Sequence, residues 1–282
     1  MRIIENKNFP NERDLYGEKD ITLINCTFSG VEDGESALKE SKDITLKNCI
    51  MNLRYPLWHD NNVLLVNCEM TDKCRAALWY TENIKIYDSK MFGIKALREC
   101  SNIYMQNVKI ESHEFGWKSK NIKAVECEIN SEYPFFEATD IDLENINLTG
   151  KYSFQYTENL TINNSVFNTK DSFWHAKNVT VKDTIIKGEY LGWYSDRLTL
   201  ERCRIIGTQP FCYCKNLTLI DCEMEDTDLS FEYSDVHAQI IGNIVSIKNP
   251  KSGIITSDGI DEVILTDDSK YKCECKIQIR NK

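Results

Sequence analysis

The chain repeats itself every 19 residues, and that period restricts its fold more than any other property of the sequence. An Asn or Asp followed by an apolar–x–apolar triplet occurs at Asp20, Asp43, Asn62, Asn83, Asn102, Asn121, Asp140, Asn159, Asn178, Asn216 and Asp235, with Arg197 in the one gap. From Asn83 to Asp235 every interval is 19 residues; the earlier ones are 23, 19 and 21, so insertions sit near the N-terminus. With this position as step 0, step 1 is apolar in all twelve repeats, from Ile21 to Val236, and step 3 is apolar throughout. The residues between are mostly polar. Alternation of period two with β-branched enrichment marks a half-buried strand.

The rest of the repeat continues the pattern. Step 5 is Asn or Asp except at Glu126, Arg202 and Ile240. Asn and Asp tolerate left-handed backbone, so this is a corner whose side chains bond from coil to coil. Step 6 holds Cys26, Cys49, Cys68, Cys127, Cys203 and Cys222, and step 8 holds large apolar residues such as Phe28, Met51 and Ile110. Together they make a second inward strand. Step 10 is mostly Gly, Ser, Thr or Asp, a second corner. Three short strands and three corners per coil give an all-β, right-handed parallel β-helix of about twelve coils. The left-handed alternative needs a coil of about 18 residues built from hexapeptides, which this register does not match. The expected organisation is one domain over 1–282: an N-terminal cap at 1–19, coils over 20–243, and a C-terminal cap at 244–282 with strands near 261–265 and 276–280.

Composition narrows the partners. The net charge is −10, which disfavours nucleic acid, anionic membranes and strongly anionic polymers. No stretch approaches the length of apolar residues that a membrane helix needs. The N-terminal residues lack the apolar core of a signal peptide, so a cytoplasmic location is expected. Eight of the twelve cysteines occupy small inward columns, six at step 6 plus Cys100 and Cys214 at step −2, where a thiol serves as a small hydrophobe. Cys212-x-Cys214 and Cys273-x-Cys275 have no His nearby, so no metal is expected. No nucleotide or cofactor motif occurs, and no cofactor is expected.

Function is concentrated on the third side of the coil. Step −4 reads Trp58, Trp79, Arg98, Trp117, Phe136, Gln155, Trp174, Trp193, Cys212 and Phe231, and includes all five tryptophans. Step −3 reads His59, Tyr80, Glu99, Lys118, Glu137, Tyr156, His175, Tyr194, Tyr213 and Glu232. Charge is costly to bury, so step −3 is expected to face solvent. Alternation then turns step −4 inward, although Arg98 and Gln155 suit a core poorly. One reading is an exposed aromatic and polar stripe that suits a neutral oligosaccharide or polysaccharide. The competing reading is a tryptophan ladder inside the coil beside a solvated column. A catalytic variant uses Arg98, Glu99, Lys118 and Glu137. Glu99 and Glu137, two coils apart, approach the separation of an inverting glycosidase pair, and Arg or Lys suits a lyase base. Its alternative is a surface salt-bridge network.

Several phrases resemble an uncharacterised bacterial family with a pectin-lyase-like right-handed β-helix. They are Gly34-Glu35-Ser36-Ala37-Leu38-Lys39-Glu40-Ser41, Arg54-Tyr55-Pro56-Leu57-Trp58, Arg75-Ala76-Ala77-Leu78-Trp79-Tyr80, Gly188-Glu189-Tyr190-Leu191-Gly192-Trp193, Phe231-Glu232-Tyr233-Ser234 and Lys248-Asn249-Pro250-Lys251-Ser252-Gly253. The resemblance spans nearly the whole chain, implies that fold, and implies no activity. It singles out Arg54, Trp58, Arg75, Trp79, Tyr80, Glu189, Trp193 and Glu232 as candidate ligand residues. The stripe adds His59, Trp117, Tyr156, Trp174, His175 and Tyr194. At Gly93-Ile94-Lys95 and Phe115-Gly116-Trp117 the chain departs from the family pattern, which weighs against the catalytic set. Three functions follow: carbohydrate recognition without catalysis, a polysaccharide lyase or hydrolase, and a structural or protein-interaction rod.

Overall fold

The computed structural model describes residues 2–30 and 35–280. Residues 1, 281 and 282 of the expected caps, and Gly34 of the first family phrase, lie outside the described residues. The chain is an all-β parallel β-solenoid, as the repeat requires, with about 14 turns rather than twelve. The difference lies at the ends. The segments expected to be caps add rungs of their own, because Arg2–Glu5 pairs in parallel with Lys19–Ile24, and Ser252–Ser257 pairs with both Asp235–Ile241 and Lys276–Ile279. The chain divides into two compact units, Met1–Asp142 and Leu143–Lys282.

In the first unit the step-1 residues form one ladder, Ile21↔Ile44↔Val63↔Ile84↔Ile103↔Ile122. The step-8 residues form another, Phe28↔Met51↔Met70↔Met91↔Ile110↔Ile129. In the second unit the equivalent ladders include Leu160↔Val179↔Leu198 and Leu148↔Phe167↔Ile186↔Ile205↔Met224. These side chains are buried, each contributing roughly 2 kcal/mol of apolar transfer.

The corners follow from side-chain chemistry. Step 0 and step 5 both have left-handed backbone, for example Asn62 at φ 58° and Asn67 at φ 51°. Their amides bond along the axis: Asn102 Nδ2 donates to Asn83 Oδ1 at 2.9 Å, and Asn67 Nδ2 to Asn48 Oδ1 at 2.8 Å. The arginine exceptions keep the ladder, since Arg197 Nε donates to Asn178 Oδ1 and Arg202 Nε to Asp183 Oδ1. At step 6 the thiols are rungs as well as fillers: Cys49 Sγ lies 3.5 Å from the Leu23 carbonyl and Cys68 Sγ 3.4 Å from that of Leu46. All twelve cysteines are free, ten of them buried.

The third side departs from expectation. Among the described residues a strand forms there only as Leu57–Trp58, Leu78–Trp79 and Leu97–Arg98, which pair as one small sheet. Where step −5 is Phe or Gly instead of Leu, that residue turns left-handed, as at Gly116 (φ 75°), Phe135 (60°), Phe154 (60°), Phe173 (60°), Gly192 (73°) and Phe211 (64°), and no strand forms. Step −3 is left-handed too, in residues that seldom adopt it: His59 (59°), Tyr80 (52°), Lys118 (52°), Tyr156 (57°), His175 (55°) and Tyr194 (59°). Each N–H there donates to a step −4 carbonyl of the next coil, as from His59 to Trp79 at 2.9 Å and from His175 to Trp193 at 3.0 Å. Those bonds offset the strained backbone.

One rung breaks the chemical pattern. At step −2, Ser41 Oγ donates to the Leu15 carbonyl at 3.2 Å, Thr81 Oγ1 to Leu57 at 3.1 Å, and Cys100 Sγ to Leu78 at 3.3 Å. Asp60 occupies the same column, buried, with Oδ1 accepting from the Ser41 N–H at 2.7 Å and Oδ2 without a partner among the described residues. Burial pushes its carboxyl up to about 8, against the opposing Ser41 bond. A protonated Asp60 restores the donor that its neighbours supply. The folded pKa lies above the unfolded value of 3.8, so stability is lost as pH rises from there to about 8. We therefore expect Asp60→Thr to raise Tm at pH 7.5 by at least about 2 °C, with the gain vanishing toward pH 4. Calorimetry across that range checks it; a gain independent of pH contradicts it.

Candidate ligand-binding face

Along the third side step −5 and step −2 are buried, step −3 is mostly exposed and step −4 is mostly half-buried. Neither sequence reading of the tryptophans therefore holds as stated. All five are half-buried. The alternation argument failed because it assumed extended backbone through this corner.

In the first unit the indole faces are already occupied. Lys39 Nζ sits 4.0 Å over the Trp58 ring, and Trp58 stacks on Trp79 at 5.3 Å and 10°. The Arg98 guanidinium lies 5.9 Å from the Trp79 ring and 5.7 Å from the Trp117 ring, and Trp117 meets Phe136 at 5.0 Å. This ribbon of alternating cations and rings is cohesive. Beside it, His59 and Tyr80 meet at 4.9 Å. Trp117 Nε1 donates to the Tyr133 carbonyl at 2.7 Å, whereas Trp58 Nε1 is shielded and has no hydrogen-bond partner among the described residues.

The proposed catalytic groups stand on this face and are paired with one another. Arg98 Nε bonds Glu99 Oε1 at 3.0 Å, and Lys118 Nζ lies 3.5 Å from Glu137 Oε2. Partial burial raises the Glu99 carboxyl, but bonds from Tyr80 and Arg98 outweigh it and hold the pKa below the usual range. A general acid needs the opposite shift. Arg54, Arg75 and Glu189 fall at step −8, one corner earlier: Arg54 is half-buried, 3.8 Å from Glu35, while Arg75 and Glu189 are exposed. Among the described residues no group of three or more His, Cys, Asp or Glu is placed to hold a metal.

The second unit carries a different column. Its Trp174 and Trp193 stack at 5.4 Å and 9°, and their Nε1 atoms donate to the carbonyls of Tyr190 (2.7 Å) and Gln209 (3.0 Å). Gln155 is buried and makes the same bond to Asp171 at 3.0 Å, which explains an amide in that column. Outside them runs an exposed stack: Tyr156 on His175 (4.8 Å, 10°), His175 on Tyr194 (5.0 Å, 5°) and Tyr194 on Tyr213 (4.7 Å, 11°).

That stack ends in a cleft. Tyr233 follows Tyr213 at 5.3 Å but is tilted by 55°, and Tyr271 stands edge-on to Tyr233 at 76°. Tyr194, Tyr213, Tyr233, Tyr271, Lys215, Lys251 and Lys270 line an open volume of about 400 Å³ with Asp235 and Ser252. The sequence placed Glu232 in the step −3 column; the structure moves it. Tyr213 N bonds Glu232 O at 2.8 Å, as Tyr194 N bonds Cys212 O at 3.1 Å, so Glu232 stands in the tryptophan column and Tyr233 takes the ring position. The cause is one extra residue ahead of Phe231, since Phe211 N bonds Leu191 O but Phe231 N bonds Pro210 O, and the register is restored by Leu217, which pairs with Val236. Glu232 is bound to Lys248 at 2.9 Å. Tyr213 was legible in the column; Tyr233 was hidden by the extra residue, and Lys270 and Tyr271 lie beyond the repeat.

The chain belongs to the family described as protein of unknown function (DUF3737), whose model matches residues 2–278. The resemblance read from the sequence agrees with this. No curated protein matches the chain. Similar solved structures include a double mutant of the periplasmic alginate epimerase AlgG (9% identity, 93% of this chain and 77% of that one, TM-score 0.28). Others are PfbA, a surface adhesin of Streptococcus pneumoniae (13%, 86% and 71%, TM-score 0.31), and the A-module of the Azotobacter vinelandii mannuronan C-5 epimerase AlgE4 (8%, 98% and 87%, TM-score 0.29).

The indole bonds separate two classes of tryptophan. Trp117→Phe and Trp193→Phe each lose a coil-to-coil hydrogen bond and are expected to cost about 1 kcal/mol more than Trp58→Phe, whose N–H has no partner. Urea unfolding of the three variants measures this, and equal losses contradict the assignment.

Proposed function

We propose that the chain recognises carbohydrate without catalysis, through the outer ring column of the second unit and the cleft in which it ends. The observation that carries this reading is the change in ring orientation after Tyr213. Along Tyr156, His175, Tyr194 and Tyr213 each ring covers its neighbour's face, so the column offers solvent only edges, hydroxyls and an imidazole. The 55° tilt of Tyr233 breaks the stack, and Tyr213 and Tyr233 both line the cleft. A sugar presents an apolar face and a rim of hydroxyls, which suits rings bordered by polar groups. The volume is at the small end for ligand clefts and fits a chain end rather than a long buried polymer.

The first-unit ribbon has no free ring face, and its carboxylates are ion-paired. It supports neither sugar stacking on tryptophan nor acid–base catalysis by Glu99 and Glu137.

Titration calorimetry with a panel of neutral oligosaccharides tests the reading. We expect a ligand whose affinity falls about three- to tenfold in Tyr213→Ala and is unchanged in Trp58→Phe. Absence of binding across the panel, or equal affinity in Tyr213→Ala, contradicts it.

A further inference from the structure

Some lysines elsewhere on this chain are neutralised along the solenoid: Lys90 by Glu69, Lys95 by Glu114, Lys118 by Glu137, Lys123 by Asp142, Lys182 by Glu201 and Lys248 by Glu232. The three at the cleft are not. Lys215, Lys251 and Lys270 make no ion pair among the described residues, although the chain carries a net charge of −10 and acidic residues to spare. The one carboxylate in the cleft, Asp235, is engaged by the Ser252 hydroxyl at 3.0 Å.

Two of these lysines are also held in place. Lys251 Nζ lies 5.1 Å from the centre of the Tyr271 ring, and Lys270 Nζ lies 5.3 Å from it. The Lys270 N–H donates to the Tyr233 hydroxyl at 3.4 Å, which ties this segment to the last ring of the column. Two ammonium groups flanking one tyrosine, in a cleft that Tyr213 also lines, form a site with a cationic half and an aromatic half.

We infer that the cleft takes the end residue of an oligosaccharide that is neutral along its length and carries one carboxylate on that end residue. Lys251 and Lys270 bind the carboxylate, and Tyr213 supplies the ring face. A single charge is favoured because the ammonium groups are local, while the acidic remainder of the surface repels a polyanion. This inference rests on the carbohydrate reading above.

The test uses a neutral oligosaccharide bound by the full chain and the same oligosaccharide oxidised at its terminal primary alcohol to the acid. The oxidised form is expected to bind about tenfold tighter at low salt, with the advantage shrinking as sodium chloride is raised. In the double variant Lys251→Gln/Lys270→Gln the two forms bind with equal affinity, and the salt dependence of their difference disappears. Both lysines are exposed, and a thermal melt confirms that the variant folds. An oxidised form that binds no tighter, or an advantage that survives in the variant, overturns the inference and leaves carbohydrate recognition standing. If neither oligosaccharide binds, the carbohydrate reading fails. Glucuronate alone, followed by NMR, then decides the lysine pair: shifts at Lys251 and Lys270 uphold the anion site, and none overturns it.

Discussion

The parallel backbone hydrogen bond from one coil to the next governs this structure. It places residue i beneath its counterpart about 19 positions on, with the spacing of a β-ladder between them. Every column must therefore tolerate copies of itself in direct contact. Isoleucine tolerates this by packing, asparagine by donating its amide to the next asparagine, and cysteine by donating to a carbonyl of the coil before. Aromatic residues satisfy it by stacking. Rings one coil apart are close enough to cover each other, so a continuous aromatic column uses up its own faces.

That consequence reshapes the candidate site. Five tryptophans on one side suggest a platform for sugars, but here they are braces between coils. Their faces meet other rings, Lys39 or Arg98, and three of their N–H groups cap carbonyls. The stacking breaks where the ladder is interrupted. In the second unit that interruption comes from the extra residue ahead of Phe231, which sets Tyr233 at 55° to Tyr213, and from Tyr271 arriving from outside the repeat.

The columns of two strands and their corners were legible because each depends on side-chain identity: apolar alternation for the strands, and Asn or Asp for the corners. The third side was not, since its left-handed residues are His, Tyr, Glu and Lys, whose identities carry no turn signal. The choice between strand and turn rests on Leu versus Phe or Gly at step −5, a distinction without meaning until the coil is built. The placement of Glu232 failed because one extra residue ahead of Phe231 shifts this side of the rung without disturbing the apolar pattern. Asp60 read as one more small residue of step −2, and only its burial without a second partner marks it as a neutral acid. The cleft was out of reach because Lys270 and Tyr271 belong to no repeat.

The central claim is that ring faces within the ladders are spent and that ligand contact is confined to the ladder's open end. Fluorine NMR of protein labelled with fluorotryptophan and fluorotyrosine, titrated with a bound oligosaccharide, addresses it directly. The account predicts that the Tyr213 and Tyr271 resonances shift while all five tryptophan resonances stay in place. Shifts at Trp58 and Trp79 with Tyr213 unmoved would contradict it.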